Sequence, residues 1–190
     1  MPHDEPASPV DLPTPERVRP TRAVRAGQVV EGPHTRIEFE VTSADSGGRL
    51  LSFRQTFQPG PFSPPVHVHA SQTERFTVVS GRLGVRVGEA VQVLGPGQTV
   101  AVPPGTPHTL WNAGAGPCVH RVQLEPARRM EHFFVGIVTL EAEGAIPPRR
   151  LSQLARLARL FLDHENRVPG LPWSVFKVVL RLVAFVGGAR

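Results

Sequence analysis

Two histidines stand two residues apart, His67 and His69, and a carboxylate, Glu74, follows five positions later in the segment GPFSPPVHVHASQTERFTVVSG. A third histidine, His108, closes the turn Pro103-Pro104-Gly105-Thr106-Pro107 in GQTVAVPPGTPHTLWN. In an extended chain, residues i and i+2 share a face, so His67 and His69 aim two imidazoles at one point. Three imidazoles and one carboxylate make a mixed nitrogen and oxygen set suited to a divalent first-row metal: Fe, Mn, Ni, Cu, Co or Zn. Four protein ligands on an octahedral ion leave two positions open, as a catalytic site needs. Glu74 is also the candidate catalytic proton acceptor. Taken singly each residue has a blander reading: the His-x-His pair as a surface pair, Glu74 as a solvated strand residue. Their combination with glycines and prolines at matching offsets argues for a site.

The elements that must position these groups are short and rich in Val and Phe. Strands are expected at 37–41, 50–57, 74–80, 83–87, 91–94, 99–103 and 119–124, separated by Gly, Pro, Asn and Ser turns. Such spacing argues for an antiparallel sandwich or barrel. On 50–57, Leu51, Phe53, Gln55 and Phe57 share the face expected to look inward. Phe53, Gln55 and Phe57 of this face, with Phe76, Val78 and Leu110, are the expected substrate pocket. Gln55 either hydrogen-bonds a substrate or metal-bound water there, or faces solvent across a bulge. His120 is expected at the surface or half buried, with a polar role in the barrel as the alternative. Cys118 is expected to pack rather than react, and His3, His34, His132 and His164 have no partner spacing.

The period changes after Glu125. Met130, Phe133, Phe134, Ile137, Val138 and Glu141 fall at helical spacing, with a strand over HFFVGIVTL as the competing reading. Gly144 and Pro147-Pro148 would end that helix. Leu151, Leu154, Ala155, Ala158, Phe161 and Leu162 predict an amphipathic helix with Arg149, Arg150, Arg156 and Arg159 outward. Pro169-Gly170 breaks the chain, and Pro172 opens a last apolar helix, 173–186, stopped by Gly187-Gly188 and expected to bury more than one face. The expected organisation is a disordered Pro-rich leader (1–22), a barrel (23–126) and a helical extension (127–190).

The two motif segments together resemble the cupin superfamily. The second cupin motif, G-x5-P-x-G-x2-H-x3-N, is met by Gly97, Pro103, Gly105, His108 and Asn112. The first, G-x5-H-x-H-x(3,4)-E-x6-G, is met by His67, His69, Glu74 and Gly81, with one extra residue between Gly60 and His67. The resemblance implies a mainly β fold, a double-stranded β-helix (jelly roll), with the metal inside one mouth. It also raises the expectation of a homodimer. Asn112 is expected to tie the following loop through backbone hydrogen bonds.

Charge narrows the functions. The chain carries 21 Lys plus Arg against 16 Asp plus Glu, a net +5. Residues 145–190 hold a net +6, so the barrel side is nearly neutral. No nucleic-acid-binding pattern occurs in the basic part, and nucleic acid is not an expected partner. The most apolar stretch, 173–186, has 14 residues, below the about 20 a membrane span requires. The acidic start, poor in apolar residues, does not read as a signal peptide, and a single cysteine suits a reducing, cytoplasmic setting. Three classes compete: a metal-dependent enzyme on a small organic molecule, a small-ligand-binding or structural module, and a protein acting through its basic helices. The intact ligand set puts an enzyme first, with dioxygenase chemistry ahead of isomerase or lyase chemistry. The absence of a charged clamp favours an apolar or aromatic substrate. Dimerisation is favoured over membrane-surface contact for the last helices.

Overall fold

The computed structural model describes residues 23–164 and 173–186. The expected leader, the Pro169-Gly170 break, the Pro172 helix start and the Gly187-Gly188 stop lie outside them. In chain order the strands are β1 (Val29–Glu31), β2 (Thr35–Val41), β3 (Leu51–Phe57), β4 (Thr73–Ser80), β5 (Leu83–Val87), β6 (Ala90–Leu94), β7 (Thr99–Val102), β8 (His108–Asn112) and β9 (Cys118–Glu125). Three helices follow: α1 (Met130–Ala142), α2 (Leu151–Asp163) and α3 (Trp173–Val186).

The strands form two antiparallel sheets. One has six strands in the order β1-β2-β3-β9-β4-β7, and the other three in the order β6-β5-β8. Alternation in the sequence sets their faces: Ile37, Phe39, Leu51, Phe53, Phe57, Phe76, Val78, Val122 and Leu124 are buried between the layers, as are Leu83, Val85 and Leu110 from the smaller sheet. Each such large apolar side chain contributes about 1.5–3 kcal/mol on burial. This is the jelly-roll arrangement expected. Strands β1 and β8 go beyond those read from the sequence; both are short and abut turn residues that mask their alternation.

Helix α1 forms where the helical period indicated it, and the strand alternative over HFFVGIVTL is not realised. Its residues Met130 and Val138 are part of the barrel's own core, with Phe133, Phe134 and Ile137 packed against it. Phe134 meets Phe53 at 4.5 Å between ring centroids. The helices depart from expectation in two places. In α2, Ala155 and Ala158 are buried, but Leu151 and Leu154 are exposed. The helix docks through its C-terminal half, where Leu160 abuts Gly136 and Phe161 stacks edge-on against Phe133, so its first turn overhangs. In α3, a full apolar face stays exposed rather than buried, because the helix packs mainly on α2.

Candidate metal centre

The four residues singled out by spacing converge. Glu74 comes from β4 in the six-stranded sheet, and His108 opens β8 in the facing sheet. His67 and His69 sit in the connection before β4. An isolated antiparallel bridge pins that connection to β8: the His67 N–H donates to the His108 carbonyl and the His108 N–H to the His67 carbonyl, both at 3.0 Å. The Gly105 N–H donates to the His69 carbonyl at 2.8 Å, tying the proline-rich turn to the ligand segment. Gly105 has φ +77°, which a side chain would strain. One potential ligand atom from each of the four residues lies within 4.8 Å of the others.

Hydrogen bonds settle which ring nitrogens face inward. His67 Nδ1 lies 2.9 Å from the Pro65 carbonyl, and His108 Nδ1 lies 2.9 Å from the Thr106 carbonyl. A carbonyl only accepts, so both Nδ1 atoms carry the proton and each Nε2 turns to the cluster. His108 Nε2 is 2.8 Å from Glu74 Oε2. His69 Nε2 lies 3.2 Å from the same oxygen but out of hydrogen-bond alignment, so this buried atom makes no hydrogen bond. A buried nitrogen left unpaired costs free energy that a bound cation would recover. The donor set, its convergence and this orphaned atom all fit a divalent transition metal.

The electrostatics of the four groups follow from burial and proximity. Burial disfavours the Glu74 carboxylate, but the charge of His69 and the hydrogen bond from His108 outweigh it and hold its pKa well below the usual range. Burial likewise opposes charge on His108, and the Glu74 carboxylate reverses that, raising its pKa. Burial, and then the His108 charge, push His67 down to about 4, so it is neutral at physiological pH.

Glu74 and His67 also form one wall of an apolar cavity of about 160 Å³. Of the six expected pocket residues, Gln55, Phe57, Phe76 and Leu110 line it. Phe53 and Val78 do not; they are buried in the core beside it, Phe53 between Phe39 and Phe134. The sequence reading missed the outer wall. Phe62, Pro64 and Pro65 line it from the lengthened Gly60–His67 connection, and Phe133, Phe134 and Ile137 line it from α1. The signal for α1 lies in Met130, Phe133, Phe134, Ile137 and Val138, which share one helical face that needs a cavity or core to cover. A larger groove of about 1050 Å³, walled by Val24, Arg128, His132 and Leu160, is open to solvent and shares no residue with the metal cluster.

His120 corrects an expectation. It is fully buried, pairs across the strands with Gln55 and Val78, and its Nε2 lies 3.2 Å from Gln55 Oε1. The period-2 register of β9 points it inward with Val122 and Leu124. Burial pushes it down to about 3, so the ring is neutral. Gln55 faces the cavity rather than solvent, since no bulge interrupts β3 against β9. The Nδ1 of His120 has no partner. An unprotonated nitrogen is cheaper to leave so than an N–H, so Nε2–H donates to Gln55 Oε1 and the Gln55 amide keeps its N–H donors for the cavity. Asn112 does tie the next loop, donating to the Gly116 carbonyl at 2.8 Å and accepting from the Gly114 N–H at 2.9 Å. Cys118 is buried and its thiol is pushed up to about 11 by burial, as a packing cysteine would be.

Residues 53–120 match the family described as Cupin domain. The chain belongs to the cupin superfamily. A curated relative, oxidoreductase OpS7 of Beauveria bassiana, is 50% identical over 65 residues, which are 30% of this cupin and 21% of the relative. The cupin thus spans about a fifth of that relative's length. Among solved structures, TT1209 from Thermus thermophilus is 33% identical, with a TM-score of 0.40 over 42% of this chain and 74% of the other. A predicted oxalate decarboxylase from Thermotoga maritima is 14% identical, with a TM-score of 0.48 over 55% of this chain and 98% of the other.

Proposed function

We propose that this cupin is a metal-dependent oxidoreductase of dioxygenase type acting on a compact apolar or aromatic molecule. The observation that carries the reading is that the ligand cluster forms a wall of the apolar cavity, with His67 and Glu74 belonging to both. A cavity near 150 Å³ holds a benzene-sized ring, which sets the scale of the group enclosed. A divalent first-row metal held by His67, His69, Glu74 and His108 would supply Lewis acidity and, for iron, manganese or copper, redox capacity.

The chain's own groups do the rest. Phe57, Phe62, Phe76 and Phe134 exclude water and grip the ring. The Gln55 amide, held by His120, offers its N–H to a substrate oxygen. Glu74, which is both a ligand and part of the cavity wall, would accept the proton of a substrate hydroxyl. The name of the partial relative, an oxidoreductase, is in keeping with this class. A non-catalytic module binding the same small molecule is the competing reading.

Protein purified without added metal should carry close to one transition-metal ion per chain by mass spectrometry, and His67→Ala with His108→Ala should lower that at least about tenfold. Oxygen consumption with a panel of single-ring phenols and catechols should exceed that of the double variant. Metal without oxygen consumption across the panel would leave the binding module, and unchanged metal in the double variant would remove the site.

A further inference from the structure

Helix α3 carries Val178, Val179, Leu182, Phe185 and Val186 at offsets of one, four, seven and eight residues, a single face of a helix. All five are exposed, Leu182 at 59% and Phe185 at 84%. An apolar face of this size on a water-facing surface marks something that covers it. Lys177 and Arg181 flank one edge of the face. Across the described parts of 145–190 there are six basic residues, Arg149, Arg150, Arg156, Arg159, Lys177 and Arg181, against one acidic residue, Asp163. Arg156 is engaged by Glu143 and Arg159 by Asp163, while Arg149, Arg150 and Arg181 are exposed.

We propose that α3 lies in the plane of an anionic lipid bilayer, its apolar face in the headgroup boundary, with Arg149 and Arg150 ahead of α2 and Arg181 of α3 on the lipid phosphates. The helix is too short to span, and no described helix is long and apolar enough to cross. A helix with one apolar face and a basic flank fits an interfacial position instead. Charge decides the occupant. A second copy seated on this face would bring two strongly basic segments together, whereas an anionic surface neutralises them. The barrel site is not involved, because α3 packs mainly on α2.

The test is flotation of the full-length protein with vesicles of pure phosphatidylcholine or of phosphatidylcholine with about 30% phosphatidylglycerol, at about 0.15 M salt. The bound fraction should be at least about tenfold higher on the anionic vesicles. Leu182→Asp with Phe185→Asp should cut it about tenfold or more, and Arg149→Ser with Arg150→Ser should lower it on anionic vesicles only. Leu182→Ser with Phe185→Ser, melting as the wild type does, guards against a folding artefact. Failure of the wild type to float with anionic vesicles overturns the proposal, as does flotation indifferent to both Leu182/Phe185 pairs. A wild-type dimer in light scattering that either pair converts to monomer also overturns it, since a second copy then covers the face.

Discussion

Glu74 is buried between His69 and His108, so its charge must be balanced on the spot. Without metal the balance comes from the flanking imidazoles, His108 along a 2.8 Å contact. Metal and proton therefore compete for one nitrogen. Because the pKa of His108 is raised, metal uptake should release a proton, and affinity should fall as pH falls through and below the neutral range; chelator competition at several pH values reads this. Glu74→Gln keeps the volume and removes the charge, and should weaken metal binding about 10–100-fold in the same assay. His120 makes a separate prediction. Its folded pKa of about 3 lies below the ordinary 6.5, so between those values the unfolded chain binds the extra proton. Stability should then fall as pH drops from about 6.5 toward 3, with up to about 1.4 kcal/mol per pH unit owed to this one ring. Denaturant melts of His120→Leu should show a correspondingly flatter acid limb; an identical limb would remove His120 from the account.

At the scale of elements, the device that makes a pocket is α1 set over the mouth of the barrel. Phe134 is its main plug, against Phe53. Phe134→Ala should cost about 2–4 kcal/mol by urea unfolding and enlarge the cavity, loosening the hold on a single ring. All strands but β1 and β8, the helices and the ligand quartet were legible because period-2 and period-3.6 patterns and short motifs are local properties. What covers what was not. Phe53 and Val78 share the inward faces that sequence assigned them, but facing a core and facing a cavity give the same alternation. His120 followed the same rule, and its polarity argued wrongly for the outside: Gln55 and two phenylalanines receive it only once β3, β9 and β4 are side by side. Leu151 and Leu154 obey helical spacing too, and are exposed because α2 lies on α1 through only part of its length.

For the molecule as a whole, charge and chemistry are segregated. The neutral barrel with its ligand quartet is covered by α1, and the basic helices lie beyond. Because α3 packs mainly on α2, a chain ending at residue 164 should keep its barrel: its melting midpoint should stay within about 4–8 °C of the full chain, and its metal content should be unchanged. A collapse of either would show that α3 supports the site.

The placement of β9 has a consequence in time. The last strand to leave the ribosome lies between β3 and β4, and its His120 meets Gln55 from 65 positions earlier. Until Cys118–Glu125 has emerged, β3 and β4 each present an open edge, and Glu74 is held on a sheet that is half assembled. Non-local closure of this kind is slow, on the order of milliseconds to seconds. Glu74 is by then paired with Val102 of β7, so all four ligands exist once His108 has emerged, on a sheet whose other flank still waits for β9. The ligands thus become available before the sheet that fixes them is closed.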